Sequence, residues 1–134
     1  MVYKLMNIDH NKALKKGTGV MNRAEFRQEL TKIMPGYKWT VHKPTIPREF
    51  LIATGVQSSG FNRTSTLQVT RTERDGKISY EVKSSGYGTK SPWEHSNADG
   101  TLARALRGLQ QHYERNAAKY GSLAASLRSA RAAS

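Results

Sequence analysis

Cysteine is absent from the 134 residues. That excludes a disulfide framework and any thiolate metal site. Acidic residues are scarce. Ten Asp and Glu face twenty-two Lys and Arg, a formal net charge of +12, and the pI is about 10.2. Long apolar runs are missing too. No stretch approaches the roughly 18 residues that a membrane-spanning helix needs, so no membrane partner is expected. Lys4, Asn7, Asp9 and Asn11 break up every candidate for the apolar core of a secretory signal, and a cytoplasmic location is the expectation. Hydrophobic residues still amount to 37%, with a mean hydropathy of -0.68. A chain of this length buries roughly two-thirds of its unfolded surface, enough for one core and one domain.

The positive charge is concentrated toward the ends. Residues 1–20 carry +3, residues 101–134 carry +5, and the 80 residues between them carry +4. The chain reads as a basic flexible arm over 1–20, a single domain over 21–121, and an Ala/Ser/Arg-rich helical or disordered tail over 122–134. Leu123 and Leu127 are spaced to share one side of a short helix in that tail, and Gly121 is expected to stop the helix before it.

Within the domain, Asn22 and Glu25 have the spacing of a capping box. Phe26, Leu30 and Ile33 follow as one apolar stripe, and Pro35-Gly36 closes the helix. Tyr37, Trp39 and Val41 alternate with Lys38, Thr40 and His42 in a half-buried strand. Pro44 and Pro47 place this strand at an edge. Residues 50–56 form a more buried strand, closed by a turn at Ser58-Ser59-Gly60. Asp75-Gly76 is a type I′ turn signal. It sets a register in which Val69 faces Val82, Arg71 faces Tyr80 and Glu73 faces Ile78. Thr66, Gln68, Thr70, Lys77, Ser79, Glu81 and Lys83 then share a wet face, and a one-residue slip would expose the whole apolar set.

Residues 84–100 read as a long polar loop. A helix follows, capped by Asn97 or Asp99, with Leu102, Leu106, Leu109 and Tyr113 on one stripe. Gly108 weakens this helix or admits a close neighbour. The expected fold is α+β in two layers. An antiparallel sheet of three to four strands carries an N-terminal and a C-terminal helix on one face, in the order α-β-β-β-α. The expected core comprises Phe26, Leu30, Ile33, Trp39, Leu51, Leu67, Val69, Ile78, Tyr80, Val82, Leu102, Leu106 and Leu109.

Catalytic signals are weak. His10, His42, His95 and His112 show no metal-ligand spacing. Glu94-His95-Ser96 with Asp99 has the residue types of a general-base site, but consecutive loop residues do not converge on one point by default. SGYGTK at 85–90 lacks the spacing of a phosphate loop. No catalytic residue, metal or cofactor is assigned. The helix–strands–helix order invites comparison with the double-stranded-RNA-binding fold, but that fold starts its last helix with a Lys-rich cluster. Asn97-Ala98-Asp99-Gly100 stands here instead, so no membership follows.

Basic residues interleaved with aromatics point to a binding protein rather than an enzyme. The candidate binding residues are Lys38, Lys43, Arg63, Lys77, Lys83, Tyr87, Lys90, Trp93, Arg104 and Arg107. The preferred partner is nucleic acid, DNA or RNA, or a nucleoprotein complex. The competing reading is an inhibitor of the kind phages carry, docking on an acidic surface of a host polymerase or an RNA-guided defence complex. The sequence leaves the oligomeric state open.

Overall fold

The computed structural model describes residues 21–43 and 50–133. The expected arm at 1–20, Pro44, Pro47 and Ser134 lie outside them. Helix α1 spans Arg23–Ile33, and its capping box forms as expected. Glu25 N–H donates to Asn22 Oδ1 at 2.8 Å, and Asn22 N–H donates to Glu25 Oε1 at 3.0 Å. Five strands follow: β1 (Lys38–Val41), β2 (Phe50–Ser59), β3 (Asn62–Arg74), β4 (Lys77–Ser85) and β5 (Trp93–Asp99). The chain closes with helix α2, Leu102–Ala133. The strands form one antiparallel sheet in chain order, β1 to β5.

The α+β class is as expected, but the strand count is five rather than three or four. The extra strand is β5, from residues expected to be loop. Its signal is weak because it is an edge strand of mostly polar residues, and both of its faces take polar side chains. Only residues 86–92 remain as loop between β4 and β5. Asn97 and Asp99 therefore lie in a strand, and Thr101 caps α2 in their place. Its hydroxyl accepts from Arg104 N–H at 3.2 Å, and its carbonyl accepts from Ala105 N–H.

The β3–β4 register matches the alternation argument at every pair, with Val69 facing Val82, Arg71 facing Tyr80 and Arg74 facing Lys77. Asp75 (φ 51°) and Gly76 (φ 77°) both occupy the left-handed region that a type I′ turn demands. Both helices pack on the apolar face of the sheet. Helix α1 lies against β1, and α2 lies against β4 and β5. The core contains Phe26, Leu30, Trp39, Val41, Leu51, Ala53, Leu67, Val69, Tyr80, Val82, Leu102, Ala105 and Leu109. Ile33, Ile78 and Leu106, expected in the core, are partly buried at its margin. Val41, Ala53 and Ala105 are buried in addition.

Polar ties fix the layers. Trp39 Nε1 donates to the Met34 carbonyl at 3.0 Å, and Arg27 donates to the Trp39 carbonyl at 3.1 Å. Beneath α1, buried Arg71 donates to the Tyr80 hydroxyl at 3.0 Å, and that hydroxyl donates to Glu29 Oε1 at 2.8 Å. Burial pushes the Tyr80 phenol up to about 12. The Glu29 carboxylate adds to the rise, and the Arg71 guanidinium opposes it. On the α2 side, Asn97 Nδ2 donates to the Ala105 carbonyl at 2.9 Å. A Cβ on Gly108 would run into that amide, so Gly108 is there for close helix–sheet approach. His95 of β5 stacks on His112 of α2, with ring centroids 3.4 Å apart and planes within 6°. Partial burial, then the facing His95 imidazole and the Arg115 guanidinium, hold the His112 imidazole below its ordinary value.

The expectation that Gly121 stops the last helix fails. Helix α2 continues through Gly121 to Ala133, because a single glycine costs only about 1 kcal/mol within a helix and Ala-rich sequence follows it. Its buried residues, Leu102, Ala105 and Leu109, all lie in the first turns.

Two predictions follow from this packing. Tyr80→Phe removes the hydroxyl that joins Arg71 to Glu29, leaves their polar atoms under-paired, and should cost about 1–3 kcal/mol in urea titrations. The His pair gives a pH dependence. Below the ordinary His value of 6.5 the unfolded chain takes up protons that folded His112 resists. Stability present above that pH should decline as pH falls below it, then level off once folded His112 protonates. His112→Gln should flatten this part of a melting-temperature profile.

Candidate functional site

The connections of the sheet sort the candidate residues. The β2–β3 turn and the β4–β5 loop emerge at the same end. There the loop is tied to β3 by a hydrogen bond from Gly88 N–H to the Arg63 carbonyl, 2.9 Å. That bond sets Gly88, and its chain neighbour Tyr87, beside Arg63 at the start of β3, with Lys90 two residues further along the same loop. Phe61 stands at the neighbouring turn and is fully exposed. The turn is tight because Gly60, at φ 62°, takes the left-handed conformation before it.

Trp93 extends this cluster onto the sheet. It pairs with Ser85 beyond an irregularity in β4–β5 pairing at Ser84/Ser85. It is 45% exposed, and the Lys83 ammonium sits over its ring, 4.7 Å from the centroid. A cation–π contact of this kind contributes about 0.5–1 kcal/mol at an exposed site. Lys83 is therefore held over the ring rather than swinging free. Lys38, Val56, Thr66, Ser85 and Trp93 form one cross-strand row, so Lys38 lies at the same end of the sheet on the far edge. Six of the ten candidates thus share one end: Lys38, Arg63, Lys83, Tyr87, Lys90 and Trp93.

The other four do not join them. Lys77 flanks the Asp75-Gly76 turn at the opposite end, where Arg74 lies over the Phe50 ring at 5.6 Å. Lys43 follows β1 at that same far end. Arg104 and Arg107 are exposed on α2, in the helix layer behind the sheet, and Arg104 pairs with Asp99 at 3.7 Å. Their helical periodicity marked them as solvent-facing but carried nothing about which layer they would occupy. Phe61 is not one of the ten; in the sequence it is an aromatic two residues before Arg63. Its full exposure depends on the turn residue that places it at the tip.

The face of the sheet away from the helices is mostly polar, with Phe50, Ile52 and Val56 of β2 as its apolar members. It presents Thr40, Thr54, Gln68, Thr70, Thr72, Ser79 and Ser96, with His42 Nε2 bonded to Thr54 Oγ1 at 2.7 Å. Glu81 is its carboxylate among the described strand residues, against Lys38, Lys77 and Lys83. The residues considered for general-base chemistry do not converge. In β5, His95 turns toward α2 to stack on His112, Ser96 falls on the opposite face beside Lys83, and Asp99 accepts from Gly100 N–H at 2.6 Å.

Behind the sheet, the two helices leave a groove of about 550 Å³. Met34, Tyr37, Leu67, Leu106, Leu109 and Tyr113 form its apolar lining, and Glu94 and Glu114 also line it. Among the described residues, no helix is long and apolar enough to cross a membrane. Comparisons with protein-family models, curated proteins and solved structures find no match, so the chemistry of these surfaces carries the functional reading.

Proposed function

We propose that this chain is a non-enzymatic binding protein that engages nucleic acid with unpaired bases at the β2–β3/β4–β5 end of its sheet. The observation that supports this most is the set of three exposed aromatics, Phe61, Tyr87 and Trp93, gathered with Arg63, Lys83 and Lys90. A fully exposed Phe forgoes roughly 1.5–3 kcal/mol of burial. One such residue is ordinary on a surface. Three at one end, interleaved with cations, suit stacking on bases while the cations follow phosphates. Duplex DNA hides the faces of its bases, whereas single strands and loops expose them. Lys38 and the hydroxyl-rich sheet face extend the path across the strands. The total of +12 adds a long-range field that speeds encounter and favours polyanions in general.

Binding of short single-stranded oligonucleotides should weaken steeply as salt rises from about 50 to 200 mM. Lys83→Glu and Lys90→Glu should lower affinity for all sequences alike and flatten the salt slope. Trp93→Ala and Tyr87→Ala should each cost about 1–3 kcal/mol with little change in that slope. Charge reversal at Lys77, at the far end, should matter less than at Lys83. Absence of binding in a filter assay at about 50 mM salt would contradict the reading.

A further inference from the structure

Helix α2 is longer than the domain needs. Its 32 residues extend about 48 Å at 1.5 Å per residue, yet its buried side chains end at Leu109. The part from residue 118 onward nevertheless carries an apolar stripe. Tyr120 is 62% exposed and Leu127 is 69% exposed, with Leu123 beside them. At 100° per residue, Tyr113, Ala117, Tyr120, Ala124 and Leu127 share one side of the helix. That side is continuous with the side that lines the groove, which takes Leu106, Tyr113 and Ala117. The molecule thus presents an apolar groove and, leading out of it on the same helix face, an apolar stripe with no cover among the described residues.

We propose that the occupant is a second copy of this chain, with the two α2 helices crossing antiparallel and each projecting end seated at the mouth of the other's groove. Charge favours this occupant. The groove is lined by Glu94 and Glu114, whereas residues 118–133 carry Lys119, Arg128 and Arg131 and no carboxylate. A two-fold pairing centred between Tyr120 and Gly121 sets Ala117 against the other copy's Ala124. It also brings Arg128 to the other copy's Tyr113 and Glu114. Tyr120 of each copy packs at the centre of the crossing, Ala117 and Ala124 flank it, and Leu127 reaches the apolar mouth. The contact is isologous, so every interaction occurs twice and the assembly closes at two copies. Two 16-residue helix ends and two grooves offer an area on the order of the 1,200–2,000 Å² that a stable interface buries. Ser85 and Gly86 of the β4–β5 end also line the groove, so the second copy lies beside the nucleic-acid end, on the helix side of the sheet.

Sedimentation equilibrium on the full chain, at about 50 µM where even a micromolar dimer is mostly assembled, tests this. The wild type should weigh twice its 15.0 kDa. Leu127→Glu with Tyr120→Glu should give a monomer with an unchanged far-UV circular dichroism spectrum at the sheet minimum and unchanged melting of the domain. Arg128→Glu should weaken the dimer at least tenfold, and Glu114→Arg in the same chain should restore most of that loss. A wild-type monomer overturns the proposal, whatever foreign helix the groove accepts. So does a dimer that survives Leu127→Glu but is lost on Thr40→Pro in the edge strand β1, because that result assigns assembly to strand pairing. Failure of the charge swap with retention of the dimer overturns the antiparallel register.

Discussion

The β3–β4 hairpin decides which side of the sheet is dry and which is wet. Its register follows from two residues, Asp75 and Gly76, whose positive φ angles set the turn. That turn places Leu67, Val69, Tyr80 and Val82 on one side and Gln68, Thr70, Glu81 and Lys83 on the other. Because side chains alternate with period two, a slip of one residue would exchange the two faces. With the register fixed, one face is dry and must be covered, and the flanking segments supply an amphipathic helix each. The opposite face stays open.

Coverage of the dry face is incomplete, and the places where it fails are informative. Helix α1 is tied to β1 and to the hairpin through Trp39, Arg27 and the Glu29–Tyr80–Arg71 chain. Helix α2 is seated at the other side through Asn97, Gly108 and the His95–His112 stack. Between these anchors runs the groove that Leu67, Leu106 and Tyr113 line. The two open regions differ in chemistry. The groove is apolar and carries carboxylates, which suits a cationic amphipathic helix. The turn end of the sheet carries aromatics and cations, which suits a polyanion with exposed bases. Two surfaces of opposite charge preference thus lie side by side on one small chain.

Much of the fold was legible because it rests on strong local signals. The capping box at Asn22 and Glu25, the Phe26/Leu30/Ile33 stripe, and the Asp75-Gly76 turn each have one dominant reading. Strand β5 was not legible. Its residues, from Trp93 to Asp99, have no apolar alternation, and their pairing to β4 is a long-range choice that no local window contains. The continuation of α2 through Gly121 is not legible from the glycine alone, because the Ala-rich segment after it offsets the helix weakening. The candidate site was half legible. Charge and aromatic interleaving pointed to ten residues, but which of them share an end depends on strand order. Lys77 and Lys83 lie on one strand and one face, yet six rows apart. Arg104 and Arg107 belong to the other layer.

The proposed function confines base recognition to the end of the sheet where the Gly88–Arg63 hydrogen bond gathers loop and turn. Amide chemical-shift mapping with a short unstructured oligonucleotide tests it residue by residue. The largest shifts are expected at Phe61, Arg63, Lys83, Tyr87, Lys90 and Trp93, a smaller effect at Lys38, and little at Lys77, Arg104 or Arg107. Shifts centred on α2, or spread evenly over all exposed Lys and Arg, would contradict it.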